Sequence, residues 1–135
     1  MLDDKNAHTS GKQDASEAYP KKTGVAHFFA AAGYSLQGFQ RLIAEAAFRH
    51  ELLYFAVGLV LFAIVGASAL EFLGFVILMA VLFAVEAINT AIEEVVDRIS
   101  PEISSVGKHA KDLGSFAVFC LLVANGVYAL VVLFF

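Results

Sequence analysis

Glu86, Asn89, Glu93 and Asp97 are separated by 3, 4 and 4 residues. On an α-helix turning about 100° per residue, all four fall on one face within an arc of roughly 80°. Glu94 lies at the edge of this stripe, roughly 80° from Glu86. Carboxylates collected on one helix face have two obvious uses. They can hold Mg²⁺ through oxygen ligands, as phosphoryl-transfer sites do, and one of them, buried, can act as a general base. Glu45 adds an acid in the run Glu-Ala-Ala-Phe-Arg-His-Glu (45–51). Arg49 follows Glu45 by four residues, a spacing that equally suits a simple ion pair across one helical turn. Glu51 has the same bland alternative.

The stretch from Arg98 to Asp112 carries Pro101, a helix stop signal, and then Lys108, His109, Lys111 and Asp112. Its lysines suit either the phosphates of a nucleotide or plain anchoring at a membrane surface. A P-loop is excluded, because Glu102 stands where the first glycine would be needed before Gly107-Lys108, and His109 follows. Neither a His-Glu-x-x-His nor a Glu-x-x-His metal motif is present. Cys120 is the single cysteine, which excludes a disulfide framework and a cysteine-based zinc site. His8, His27 and His50 are scattered.

The elements that must carry these residues are set by composition. The 135 residues are 59% hydrophobic and 16% charged, with a mean hydropathy of +0.74. Soluble domains are roughly half apolar and about a quarter charged, so this chain reads as a small membrane protein. Nine Lys and Arg against 13 Asp and Glu argue against nucleic acid, which needs a basic footprint. Charges are absent from Leu52 to Leu70 and from Leu113 to Phe135. A spanning helix needs about 20 mainly apolar residues, and both runs suffice. A third run starts at Phe72 and meets Glu86 after 14 residues. It reaches spanning length only by continuing to Ile92, with Glu86 and Asn89 inside the bilayer. Ionisable residues there cost about 2.5–3.5 kcal/mol each on insertion scales, so they face protein or a polar cavity and mark function. Asp97, and Glu93 with it, have the bland alternative of simple solvation at the interface; Glu86 is too deep for it.

The expected fold is therefore all-α and polytopic, with spans of about 51–70, 73–97 and 112–135 and a hairpin around Glu71. Before them, Val25, Phe28, Phe29, Ala32, Leu36, Phe39 and Leu42 recur at helical spacing. They predict an amphipathic interfacial helix over 24–48 lying on the bilayer. Residues 1–22 read as a disordered polar tail, and 23–135 as a single membrane domain with no internal repeat. All nine cations precede the first span or lie between the second and third, which the positive-inside rule makes cytoplasmic. Asn125 and Cys120 are expected to pack or bond between helices, with Ala63/Ala67 and Ala87/Ala91 as points of close helix approach. Tyr128, Phe134 and Phe135 read as an interfacial aromatic anchor.

Four stretches together resemble the prokaryotic integral-membrane diacylglycerol kinases: Ala-Ala-Gly-Tyr-Ser (31–35), Glu-Ala-Ala-Phe-Arg-His-Glu (45–51), Glu-Ala-Ile-Asn-Thr-Ala-Ile-Glu-Glu-Val-Val-Asp-Arg (86–98) and Ala-Lys-Asp-Leu-Gly-Ser (110–115). The resemblance covers about residues 24–135, in family order. It implies a homotrimer of three-span subunits with shared active sites that phosphorylates diacylglycerol with MgATP, in the bacterial cytoplasmic membrane. Carried over by resemblance, Glu86 is the general base with Asn89 beside it, and Glu45 and Glu93 hold Mg²⁺. Tyr34, Glu45, Glu93, Asp97, Glu102, Lys111 and Asp112 contact ATP, while Arg49, Glu51 and Ser115 line the lipid end. The chain departs from the family at His27 and Ala30, where a basic residue and a lysine are usual. The spacing from Gly38 to Glu45 is also one residue short. Two rival functions use the same column: an undecaprenol kinase, and a non-enzymatic cation-binding or channel subunit. Gly-Tyr-Ser and the 45–51 stretch resemble the diacylglycerol branch more closely.

Overall fold

The computed structural model describes residues 24–100, 102 and 104–135. The expected tail over 1–22 and the stop at Pro101 lie outside the described residues. Among these residues every regular element is helical: α1 (Val25–Ile43), α2 (Ala46–Val65), α3 (Ala69–Ile99) and α4 (Ser105–Phe134). The last three are long and apolar enough to cross a membrane. Large apolar side chains such as Ile64, Leu70, Ile88, Leu113 and Phe116 point outward along them. In water so much exposed apolar surface marks an interaction surface; along spanning helices it suits contact with lipid or with neighbouring helices.

The chain divides into two compact units, one ending at Gln37 and one of Gly38–Phe135. In the first, Phe28 and Phe29 lie edge to face with ring centroids 6.0 Å apart, and both are exposed. In the second, α3 and α4 form the main helical pair and α2 makes a smaller contact with each. Their shared core is Phe62, Phe75, Met79, Leu82 and Val118. Phe62 and Phe75 stack with centroids 4.9 Å apart. Asn125 is fully buried among these apolar groups. Its amide nitrogen donates to the Leu121 carbonyl at 2.9 Å and the Leu78 carbonyl at 3.3 Å. The second bond ties α4 to α3, the interhelical role expected of it. Cys120, by contrast, is exposed.

The helix ends differ from expectation because local capping chemistry sets them. The α2–α3 turn falls at Gly66–Ser68, ahead of Glu71. Gly66 adopts φ 74° as the left-handed cap of α2, a conformation that glycine enters without the steric cost of a Cβ. Ser68 then caps α3, and Glu71 completes a reciprocal capping box. The Glu71 carboxylate accepts from the Ser68 amide at 2.6 Å and its hydroxyl at 2.7 Å. Glu71 is thus the third residue of α3, where a negative charge favours the helix N-terminus. The interfacial helix stops at Ile43, not at residue 48, so Phe48 to Glu51 belong to the spanning helix α2. At the other end α4 begins at Ser105, where the Ser104 hydroxyl accepts from the Gly107 amide at 3.0 Å.

Tyr128 is not a free interfacial anchor. It lies against Phe62, and its hydroxyl donates to the Glu71 carbonyl at 2.9 Å, next to Gly74. Phe134 and Phe135 remain exposed. Of the two alanine pairs expected at helix approaches, Ala67 packs against the core and Ala87 is half-buried, while Ala63 and Ala91 are exposed. Gly58, Gly74 and Gly114 each meet a side chain of another helix closely. A Cβ on Gly58 would enter the Phe75 ring, whereas one on Gly126 would meet nothing. Phe75 is fully buried against Phe62 and has no room to swing away. Gly58→Ala therefore overpacks the core, at a cost of about 1–3 kcal/mol. The expected result is a lower thermal midpoint in detergent for Gly58→Ala, and none for Gly126→Ala.

Candidate active site

The stripe on α3 is buried at one end and open at the other. Glu86 is 4% exposed and Asn89 8%, Glu93 is half-buried, and Asp97 is exposed. The 31-residue helix carries this polar face because α2 and α4 pack against its apolar residues. Around the stripe the chain forms two cavities that take up the expected site residues except Tyr34, Arg49 and Glu51.

The deeper cavity, of about 260 Å³, is lined by Glu45, Glu86, Asn89, Thr90, Glu93 and Ser115. Three carboxylates line it and no Lys or Arg does, although Glu45 also meets the Arg41 guanidinium; hard oxygen donors of this kind suit a divalent cation. The Asn89 amide nitrogen donates to Glu93 Oε1 at 3.3 Å, which orients the side chain. Its carbonyl oxygen is buried without a partner, against Gly114, where a Cβ would collide with it. The outer cavity, of about 270 Å³, is lined by Asp97, Glu102, Lys108, Lys111, Asp112 and Ser100 among others. Lys111 donates to Asp97 Oδ1 at 2.5 Å. The outer cavity thus sets two ammonium groups beside three carboxylates, whereas the deeper one has carboxylates and no ammonium in its lining.

Glu45 occupies the N-cap position of α2, with φ −77° and ψ 134°, yet its side chain caps nothing. Its carboxylate instead accepts from Arg41 Nη1 at 2.6 Å, and Arg41 Nε donates to Glu94 at 2.5 Å. These carboxylates, Glu45 first, push the Arg41 guanidinium above its already high range. Arg49 does not pair with Glu45. It donates to the Ile43 and Ala44 carbonyls at 3.1 and 2.8 Å and so caps the open end of α1.

Of the residues assigned to the lipid end, Ser115 alone lines a cavity. Arg49 is committed to the α1–α2 corner, and Glu51 is buried with Oε2 unpartnered, outside both cavities. Tyr34 belongs to the unit ending at Gln37 and is exposed there. Among the described residues no three His, Cys, Asp or Glu side chains converge tightly enough to ligate a metal by themselves. Mg²⁺ does not need such a cage: it usually takes one or two carboxylates and completes its shell with water and substrate phosphates. Glu45 and Glu93, both in the lining of the deeper cavity, are hard oxygen donors of that kind, so the residues present fit the ion.

The chain matches the family described as prokaryotic diacylglycerol kinase over residues 33–133. The chain belongs to that family. Its members are kinases that phosphorylate an alcohol. It is 57% identical over 135 residues to the diacylglycerol kinase of a Sinorhizobium species, covering 99% of this chain and 96% of that one. Identity to the diacylglycerol kinase of Haemophilus influenzae is 35% over 116 residues, 85% of this chain and 98% of the relative. For that of Escherichia coli it is 35% over 102 residues, 75% and 84%. The matched span contains all the expected site residues, from Tyr34 to Ser115.

Several neighbours of the site were not expected from sequence. Thr90 is one residue from Asn89 and would have been found by widening the polar arc. Lys108 stood in the sequence as a phosphate candidate without an assigned place. Gly114 gave no signal, because a glycine inside an apolar helix shows nothing of the Asn89 side chain resting on it. Arg41 precedes Glu45 by the same four residues by which Arg49 follows it; only the helix break at Ala44–Glu45 selects between them.

Proposed function

We propose that this protein transfers the γ-phosphoryl group of MgATP to the hydroxyl of 1,2-diacylglycerol, yielding phosphatidic acid and ADP. The observation that carries this reading is the burial of Glu86 in a three-carboxylate cavity, beside a lysine-bearing cavity on the same helix face. A lipid hydroxyl sits at headgroup depth and a nucleotide arrives from water. A polar face that runs inward from an exposed Asp97 to a buried Glu86 spans that difference.

Each residue then has one task. Glu86 accepts the hydroxyl proton as the oxygen forms its bond to the γ-phosphorus and the bond to ADP breaks. Asn89 orients Glu93. Glu45 and Glu93 would hold Mg²⁺, which when bound neutralises charge on the phosphate oxygens. Lys111 counters phosphate charge, and Asp97, Glu102 and Asp112 surround the nucleotide; Tyr34 is given to ATP by the family resemblance alone. Ser115, in the deeper cavity, meets the acceptor; Arg49 and Glu51 are given to the lipid end by the family resemblance alone. Phosphoryl transfer demands alignment and charge stabilisation more than covalent chemistry, and rigid spanning helices supply alignment. Three spans enclose little volume, which supports a homotrimer whose subunits share sites.

Arg41, Arg49, Arg98, Lys108 and Lys111 all lie at the end of the helices opposite the Gly66–Ser68 turn. The three apolar helices are those of a multi-pass membrane protein. The cation asymmetry supports the bacterial cytoplasmic membrane with the N-terminus inside. Purified protein in mixed micelles, offered diacylglycerol and undecaprenol with γ-labelled ATP, tests the reaction. Label is expected in phosphatidic acid and to depend on Mg²⁺. Preferential labelling of undecaprenol would transfer the assignment to that alcohol, and no labelling of either would favour a cation-binding subunit.

A further inference from the structure

Arg41 links two acids from different elements: Glu45, at the start of α2, and Glu94, on α3, 53 residues away in sequence. It uses two different nitrogens, Nη1 and Nε, so the planar fork is held at both prongs. Glu94 is at the edge of the polar face and lines neither cavity; its contact is Arg41. Glu45 does line the deeper cavity. Its position at the N-terminus of α2 gives the carboxylate a competing place to go, onto the unpaired amides and positive dipole end of that helix. The side chain does not take it.

We propose that Arg41 is the positioning residue for Glu45: anchored by Glu94, it holds Oε1 and leaves Oε2 to the cavity shared with Glu93. This rests on the kinase reading, in which Glu45 and Glu93 hold the divalent ion. Residues behind a metal ligand set its orientation, and their loss typically costs 10- to 100-fold in affinity. Arg41 differs from most such residues in being exposed, so its removal leaves the core intact. Arg49 braces the same corner independently through the Ile43 and Ala44 carbonyls.

The test is direct ion binding, not turnover. Mn²⁺ is titrated by electron paramagnetic resonance into the full chain in detergent micelles, with a non-hydrolysable methylene analogue of ATP. Arg41→Met is expected to weaken Mn²⁺ binding about tenfold, the lower end for such residues, with unchanged helix content and thermal midpoint. Arg41→Lys restores part of the loss, because an ammonium keeps the charge but not the fork. Glu94→Gln weakens binding in the same direction by a smaller factor, and it tests the anchor even if Arg41→Met misfolds. Unaltered Mn²⁺ affinity in Arg41→Met, or in Glu94→Gln, overturns the role of Arg41 and leaves the kinase reading standing. Failure of the unaltered chain to bind Mn²⁺ with the nucleotide overturns both.

Discussion

Glu86→Gln lowers kcat on the order of 10²–10⁴-fold, the usual contribution of a positioned acid–base group, and leaves the fold in place. The substitution is nearly isosteric and removes a charge from a site only 4% exposed, so nothing in the core must move to accept it. What is lost is the ability to take a proton from the acceptor hydroxyl. Because Glu86 is not part of the outer cavity proposed for the nucleotide, the KM for ATP stays within a few-fold of its original value. A steady-state assay with saturating diacylglycerol reads both quantities, and circular dichroism with sedimentation reports folding and oligomeric state. A Glu86→Gln protein with full turnover would remove Glu86 from the base role, whatever else remained of the site.

Lys111→Met acts on the other cavity and on the other kinetic constant. The ammonium lies 2.5 Å from Asp97 Oδ1 in a cavity that also holds Glu102 and Asp112. Removing it leaves three carboxylates and the single ammonium of Lys108 facing an incoming triphosphate. A hydrogen bond to a charged group contributes about 1.5–3 kcal/mol, so the KM for ATP rises roughly 10- to 150-fold, with each tenfold worth about 1.4 kcal/mol. If Lys111 served only as a membrane-surface anchor, the KM would not move. Asp97→Asn made alone and together with Lys111→Met separates direct phosphate contact from neutralisation of Asp97. Direct contact predicts that the double variant stays impaired; neutralisation alone predicts recovery toward the original KM.

The polar stripe was legible because helical geometry is rigid: once residues 86–97 are helical, spacings of 3, 4 and 4 leave one face for all four side chains. The three spans were legible for a similar reason, since bilayer thickness demands a minimum length of apolar residues. Their ends were not. Ser68-x-x-Glu71 is a capping-box pattern, and it moves the turn to Gly66–Ser68, but a charge after a long apolar run reads first as the exit from the membrane. The burial of Glu51 alongside an exposed Arg49 was equally hidden, as neighbours in sequence point to different sides of a helix.

Helix periodicity is local: it follows from backbone geometry and solvent, so order along the chain already specifies spans, polar face, cation asymmetry and the acids available for catalysis. Which acids meet is a matter of packing between helices. Glu45 joins Glu86 and Glu93 because the chain breaks at Ala44–Glu45 and α2 returns against α3. Asp97 leaves them for the lysines of α4, and Arg41 rather than Arg49 takes the Glu45 carboxylate. Those partnerships depend on distances between residues far apart in sequence, which no pattern within a single helix contains.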